Sequence, residues 1–228
     1  MTPRVTAAPA PRDRIQASDL AAVAWIAAAA VGLGVFVAMT VLLLNHFMFG
    51  FDQPWLVAAE SLRGNGLIWQ ILSETANIPL IASGVGIVVW LFVTHRRREA
   101  VVVAIVLIAV TAGSEGVKQL VARPRPEGTD PNIPGVVYSF PSGHELEAVA
   151  IWGVIAIHAL RTRIPRVITW GFVVFAIVDV VLVGLSRVVL ATHFPSDVIA
   201  GAFGGVGALG VYGFLSRNGK AQTRGHGS

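Results

Sequence analysis

Six stretches of this chain, near residues 20–45, 66–94, 100–122, 143–161, 167–190 and 197–215, are apolar and long enough to cross a bilayer. Backbone N–H and C=O groups in hydrocarbon have to be paired within the protein, so a chain built this way folds as a bundle of membrane helices. The first stretch, Leu20–Asn45, holds no charge over its whole length. It is too long for a signal-peptide core of about 7–15 residues and reads as an uncleaved span. With 54% of residues hydrophobic and only 13% charged, no room is left for a sizeable soluble module. The sequence therefore predicts an all-α, six-span bundle over residues 20–215. Residues 1–19 and 216–228 read as disordered cytoplasmic tails, and a short interfacial helix is predicted at Gln53–Leu62. Cysteine is absent, which excludes disulfides and thiolate metal sites.

A net charge of +4 suggests a nucleic-acid surface only until the cations are located. Arg4, Arg12 and Arg14 precede the first span, and Arg96, Arg97 and Arg98 follow the second. Arg161, Arg163 and Arg166 follow the fourth span, and Arg217, Lys220 and Arg224 follow the sixth. These twelve of the seventeen Lys and Arg residues fall on one side, which the positive-inside rule makes cytoplasmic together with both termini. Nucleic acid is thus not an expected partner; the bilayer is. Nothing in the sequence specifies an oligomeric state. The other five cations are Arg63, Lys118, Arg123, Arg125 and Arg187, on or near the opposite side. A lone cation in hydrocarbon costs roughly 2.5–3.5 kcal/mol, so such a group is kept where a counter-charge meets it.

Three short patterns lie on that side: "KQLVARPRP" from Lys118, "PSGH" from Pro141, and "SRVVLATHFPSD" from Ser186. Pro124 and Pro126 stop the third helix, leaving Arg125 on irregular chain that can turn back towards Lys118. Ser142 and Gly143 open the fourth helix, whose unpaired first amides and positive dipole end make an anion cradle. Pro195 opens the sixth, with Asp197 in its first turn. Two helix starts, a lysine and two arginines suit an anion with several oxygens, phosphate before carboxylate. A neutral His193 can attack phosphorus if a carboxylate holds its other ring nitrogen, and Asp197 stands four residues on. His144 can protonate the leaving oxygen. The cationic side chains neutralise the oxyanions, so this reading needs no metal.

These patterns resemble the signature of the type 2 phosphatidic acid phosphatase superfamily. Lys118, Arg125 and Pro126, then Pro141, Ser142, Gly143 and His144, then Ser186, Arg187, His193 and Asp197 stand at its spacings. The resemblance covers residues 100–215 and reaches the first two spans only through topology. It implies a phosphohistidine at His193 oriented by Asp197, with His144 as acid. Lys118, Arg125, Ser142, Gly143 and Arg187 would bind the phosphoryl oxygens, without metal or other cofactor, at an extracytoplasmic site. It also implies a lipid phosphate or diphosphate as substrate. A polyprenyl diphosphate such as undecaprenyl diphosphate comes first, and phosphatidic acid and phosphatidylglycerophosphate follow. A lipid phosphotransferase using the same histidine is the rival reaction. A non-enzymatic lipid-binding or transport protein leaves both histidines and Asp197 without a task.

The remaining polar groups carry smaller expectations. His46, His95, His158 and His226 read as interfacial, packing or tail residues, and Asp179 as a hydrogen-bonded packing residue. Glu115 lies three residues before Lys118 on one helix face and is expected to hold that ammonium. Glu145 departs from the signature and is expected to meet Arg123 or the substrate headgroup. Glu147 shares a face with His144 and is expected to keep it protonated. The glycines of the sixth stretch, from Gly201 to Gly213, predict close helix packing.

Overall fold

The computed structural model describes residues 11–127, 129, 138–162 and 164–217. Residues 1–10 and 218–228 of the predicted tails, most of loop 127–140, and Arg163 lie outside them. The described chain forms eight helices: α1 (Pro11–Leu44), α2 (Asp52–Arg63), α3 (Leu67–Glu74), α4 (Ile78–Val93), α5 (Arg97–Val121), α6 (Gly143–Arg161), α7 (Arg166–Val189) and α8 (Pro195–Arg217). No strand occurs among the described residues. Six helical segments are long and apolar enough to span a membrane, and they coincide with the six predicted stretches. Helix α1 starts at Pro11, so residues 11–19, read from the sequence as tail, continue the first helix. Helix α8 likewise runs through Ser216 and Arg217.

The second stretch differs from expectation. It is two helices, α3 and α4, separated at Thr75–Asn77. Pro79 explains the break: it donates no amide hydrogen, and its ring clashes with the carbonyl four residues back, that of Thr75. The predicted interfacial helix is α2, which begins one residue earlier, at Asp52.

Helix α8 is the central element, packed against α1 and α6, while α6 also contacts α5 and α7. Its glycines let backbones touch. A β-carbon at Gly207 would come 2.9 Å from the Leu33 amide nitrogen of α1. One at Gly201 would come 2.6 Å from the Ser142 carbonyl oxygen at the start of α6. Close approach gives membrane helices the dispersion contacts that water exclusion cannot supply in lipid. Leu91, Val103, Val110, Leu146, Val154 and Tyr212 form the main buried cluster. At the end away from the site, the Tyr212 hydroxyl bonds His158 Nε2 at 2.5 Å, and Arg161 reaches Ser216 Oγ at 3.4 Å. His158 is thus the packing residue the sequence suggested. Asp179 accepts the Trp152 indole N–H at 2.7 Å, which gives that buried acid its expected structural role.

Candidate active site

The site forms where the third, fourth, fifth and sixth spans meet at one end of the bundle. Helix α5 ends on Ala122, whose left-handed backbone (φ 50°) turns the chain sharply into Arg123-Pro124-Arg125-Pro126. That segment pairs with the stretch before α6: the Ser139 amide donates to the Arg123 carbonyl at 2.9 Å, and Pro124 bridges Tyr138. Arg125 is thereby carried across to the α7–α8 connection, where its Nη1 donates to the Thr192 carbonyl at 2.6 Å. The α6 start is fixed to α8 by the Ser142 amide, which donates to the Asp197 carbonyl at 3.1 Å. In the α7–α8 turn, the amides of Thr192 and His193 both donate to the Arg187 carbonyl, at 3.0 and 3.1 Å. Each pattern found in the sequence is therefore tied by backbone to another.

Lys118, Arg125, Ser142, Gly143, His144, Arg187 and His193 converge. His144 and His193 each lie within electrostatic reach of Lys118, Arg125 and Arg187. A β-carbon at Gly143 would stand 3.3 Å from Ser114 Oγ and 3.4 Å from Lys118 Nζ, which puts the start of α6 directly beside the ammonium. Ser142 occupies the N-cap of α6 but makes no side-chain capping bond. Its hydroxyl is fully buried and, like Arg125 Nε and Arg187 Nε, has no hydrogen-bond partner among the described residues. Buried donors are almost always paired in folded proteins. Three unpaired ones beside a helix N-terminus and a lysine describe a cradle for a multi-oxygen anion.

His193 is 1% exposed, and its Nδ1 lies 2.7 Å from the Ser139 carbonyl oxygen. A carbonyl only accepts, so Nδ1 carries the hydrogen and Nε2 keeps its lone pair. Burial foremost, then the Arg187 and Arg125 guanidinium groups, hold the His193 pKa well below its ordinary range, which keeps the ring neutral. Burial also lowers Arg125 to about 10, which leaves it a cation at neutral pH.

Several sequence expectations are revised. Asp197 does not hold His193 directly: its Oδ2 lies 3.7 Å from Nδ1, and the Ser139 carbonyl takes that place. His193 precedes Pro195 and lies outside α8, so the four-residue spacing is not a helical one, and the pair stands in contact without a hydrogen bond. Asp197 instead accepts the Phe194 amide at 2.8 Å and an Arg123 N–H at 2.5 Å. Arg123 also donates to Asp52 at 2.7 Å and to Ser196 Oγ at 2.8 Å, and it lies 3.9 Å from the Phe194 ring centre. It is committed to this buried clamp and is not Glu145's partner. Glu145 points the other way, buried against Gly184 of α7 and Gly201 of α8, and its Oε2 has no hydrogen-bond partner among the described residues. It lines a largely apolar groove of about 540 Å³ under α2. Glu147 accepts the Thr111 hydroxyl of α5 at 2.8 Å and is not the partner of His144. His144 Nε2 instead lies 2.7 Å from Asn77 Oδ1. Glu115 does meet Lys118, at 3.5 Å, and bonds Gln119 more closely, at 2.9 Å.

Three residues near the site escaped the sequence reading: Asp52, Ser73 and Asn77. Ser73 accepts an Arg187 Nη1–H. For Ser73 and Asn77 the available signal was the polar run "SETANIP" inside an otherwise apolar stretch.

The model of the PAP2 superfamily matches residues 98–220. Phosphatidylglycerophosphatase B of Bacillus subtilis is 31% identical over 152 residues, which is 65% of this chain and 70% of that protein. Mouse glucose-6-phosphatase 2 is 38% identical over 77 residues, but this covers only 21% of its length. Among solved structures, the transmembrane PAP2-type phosphatidylglycerolphosphate phosphatase of Bacillus subtilis aligns with a TM-score of 0.62 at 21% identity, covering 87% of this chain and 100% of the other. Aquifex aeolicus LpxE aligns with a TM-score of 0.54 at 19% identity, covering 72% and 95%. At those identities the two structures speak for the fold.

Proposed function

This chain belongs to the PAP2 superfamily, and we propose that, as a membrane phosphatase of that family, it hydrolyses the terminal phosphate of a lipid phosphate or diphosphate through a phosphohistidine. The observation that carries this reading is the trio of unpaired buried donors on Ser142, Arg125 and Arg187, set beside Lys118 and two histidines.

The geometry supports the following steps. Lys118, Arg125, Arg187, the Ser142 hydroxyl and the first amides of α6 hold the phosphoryl oxygens and offset the charge that builds on them. The His193 Nε2 lone pair forms the bond to phosphorus as the bond from phosphorus to the leaving oxygen breaks. That oxygen keeps the electron pair and takes a proton from His144. Water then attacks phosphorus, losing its proton to His144. The P–N bond breaks, its electrons return to His193, and inorganic phosphate leaves. An alcohol in place of water would make the same site a phosphotransferase.

The name of the Bacillus relative is the reason to test phosphatidylglycerophosphate first, before undecaprenyl diphosphate and phosphatidic acid. Full-length protein in detergent, freed of metal with EDTA, should release inorganic phosphate from at least one of the three without any added acceptor. Release that depends on an added alcohol would make it a transferase instead.

The arginine distribution supports a site on the extracytoplasmic face of the cell membrane. The chain has no native cysteine. A single cysteine at Glu127 should therefore react with an impermeant maleimide on intact cells, and one at Arg98 only after lysis. The reverse pattern would turn the site towards the cytoplasm.

A further inference from the structure

We infer that Asn77, at the break in the second span, is a positioning residue for His144, and that Glu74 sets the orientation of its amide. The inference rests on the reading of His144 as the group that gives and takes the proton.

Irregular backbone at membrane depth survives only where it is buried in protein or lines a polar cavity. The Thr75–Asn77 break satisfies that condition by facing the site. Asn77 occupies the N-cap of α4, a position where asparagine is among the best capping residues. Yet its side chain makes no capping bond. The amide is used on both sides for something else: Oδ1 lies 2.7 Å from His144 Nε2, and Nδ2 donates to Glu74 Oε2 at 2.7 Å.

These two contacts determine the hydrogens. A carboxylate only accepts, so the NH2 end of the amide faces Glu74 and the oxygen faces the ring. His144 Nε2 must then be the donor. That leaves Nδ1 as the one nitrogen that exchanges a proton with the leaving oxygen and then with water, while Nε2–H stays on Asn77 throughout. The same short segment carries Ser73, which accepts an Arg187 N–H. The broken span thus orients both the proton donor and one arm of the phosphate cradle.

The test uses kcat/KM, which reports steps up to release of the leaving group, on two phosphates assayed with full-length protein in detergent. Dodecyl phosphate has a poor leaving group that needs the proton; p-nitrophenyl phosphate has a good one that does not. General acid catalysis contributes about 10²–10⁴-fold, so Asn77→Ala should lose roughly 30- to 100-fold on dodecyl phosphate. On p-nitrophenyl phosphate it should lose no more than about threefold. Glu74 is exposed, so its substitution leaves packing alone. Glu74→Ala should show the same leaving-group dependence at roughly five- to tenfold, and Glu74→Gln, which keeps an acceptor, should recover most of it. Equal losses on both substrates would overturn the inference and leave Asn77 a structural residue. So would undiminished activity in Asn77→Ala while His144→Ala is inactive on dodecyl phosphate. If His144→Ala itself keeps full activity on dodecyl phosphate, the acid–base reading fails first and takes the inference with it.

Discussion

His193→Ala should lower turnover by roughly 10⁴-fold or more, as removal of a nucleophile does in enzymes with a covalent intermediate, with the fold intact. The side chain is almost fully buried, and a backbone carbonyl fixes its tautomer so that Nε2 keeps the attacking lone pair. Wild-type protein mixed with labelled substrate and quenched in alkali should carry an acid-labile phosphoryl group, and the variant should carry none. Full turnover by His193→Ala would remove the covalent mechanism. The pH profile supplies a second measurement. The nucleophile is active when neutral, and burial with two arginines holds its pKa well below the ordinary value. The acid limb of kcat/KM for the free enzyme should therefore lie below the ordinary histidine value of about 6.5. A limb at or above that value would mean that the ring is not desolvated as the structure has it.

The spans, their number and the convergence of three motifs were legible because each depends on local pattern. Apolar length marks a span, proline marks its end, and charges isolated in a greasy chain mark an anion site. What the sequence did not disclose came from neighbours distant along the chain. Helical geometry correctly placed Glu145 and Glu147 on different faces of α6. It could not say that one face meets Gly184 and Gly201 and the other Thr111. The i,i+4 relation of His193 and Asp197 looked like a hydrogen-bonded pair, but the helix begins between them. The Thr75–Asn77 break was hidden by averaging: four polar residues and a proline do not interrupt an otherwise apolar window of this length. Asp52 lies one residue before the interfacial helix predicted at Gln53–Leu62 and carries no local mark; its partner Ser196 is 144 residues away.

That acid sets the second large effect. Arg123→Ala should destabilise the protein by roughly 3–5 kcal/mol, because it leaves two buried carboxylates, Asp52 and Asp197, without their cation. In detergent this should appear as a fall in the apparent melting temperature of roughly 10 °C. Arg123→Lys should recover little of it. A single ammonium cannot reach Asp52, Asp197 and Ser196 as the guanidinium does, nor stack on Phe194 in the same way. Removing one of the stranded charges should help: Asp52→Asn in the Arg123→Ala background should raise the melting temperature above that of Arg123→Ala alone. This is the non-additivity expected of residues in one network. Activity should fall with stability, since Asp197 lies behind His193 and its carbonyl anchors the Ser142 amide at the proposed phosphate cradle. The alternative role for Arg123, direct contact with the substrate headgroup, makes a different prediction. It would leave the melting temperature unchanged and raise KM many-fold with kcat preserved, and that combination would move Arg123 out of the clamp and into the binding site.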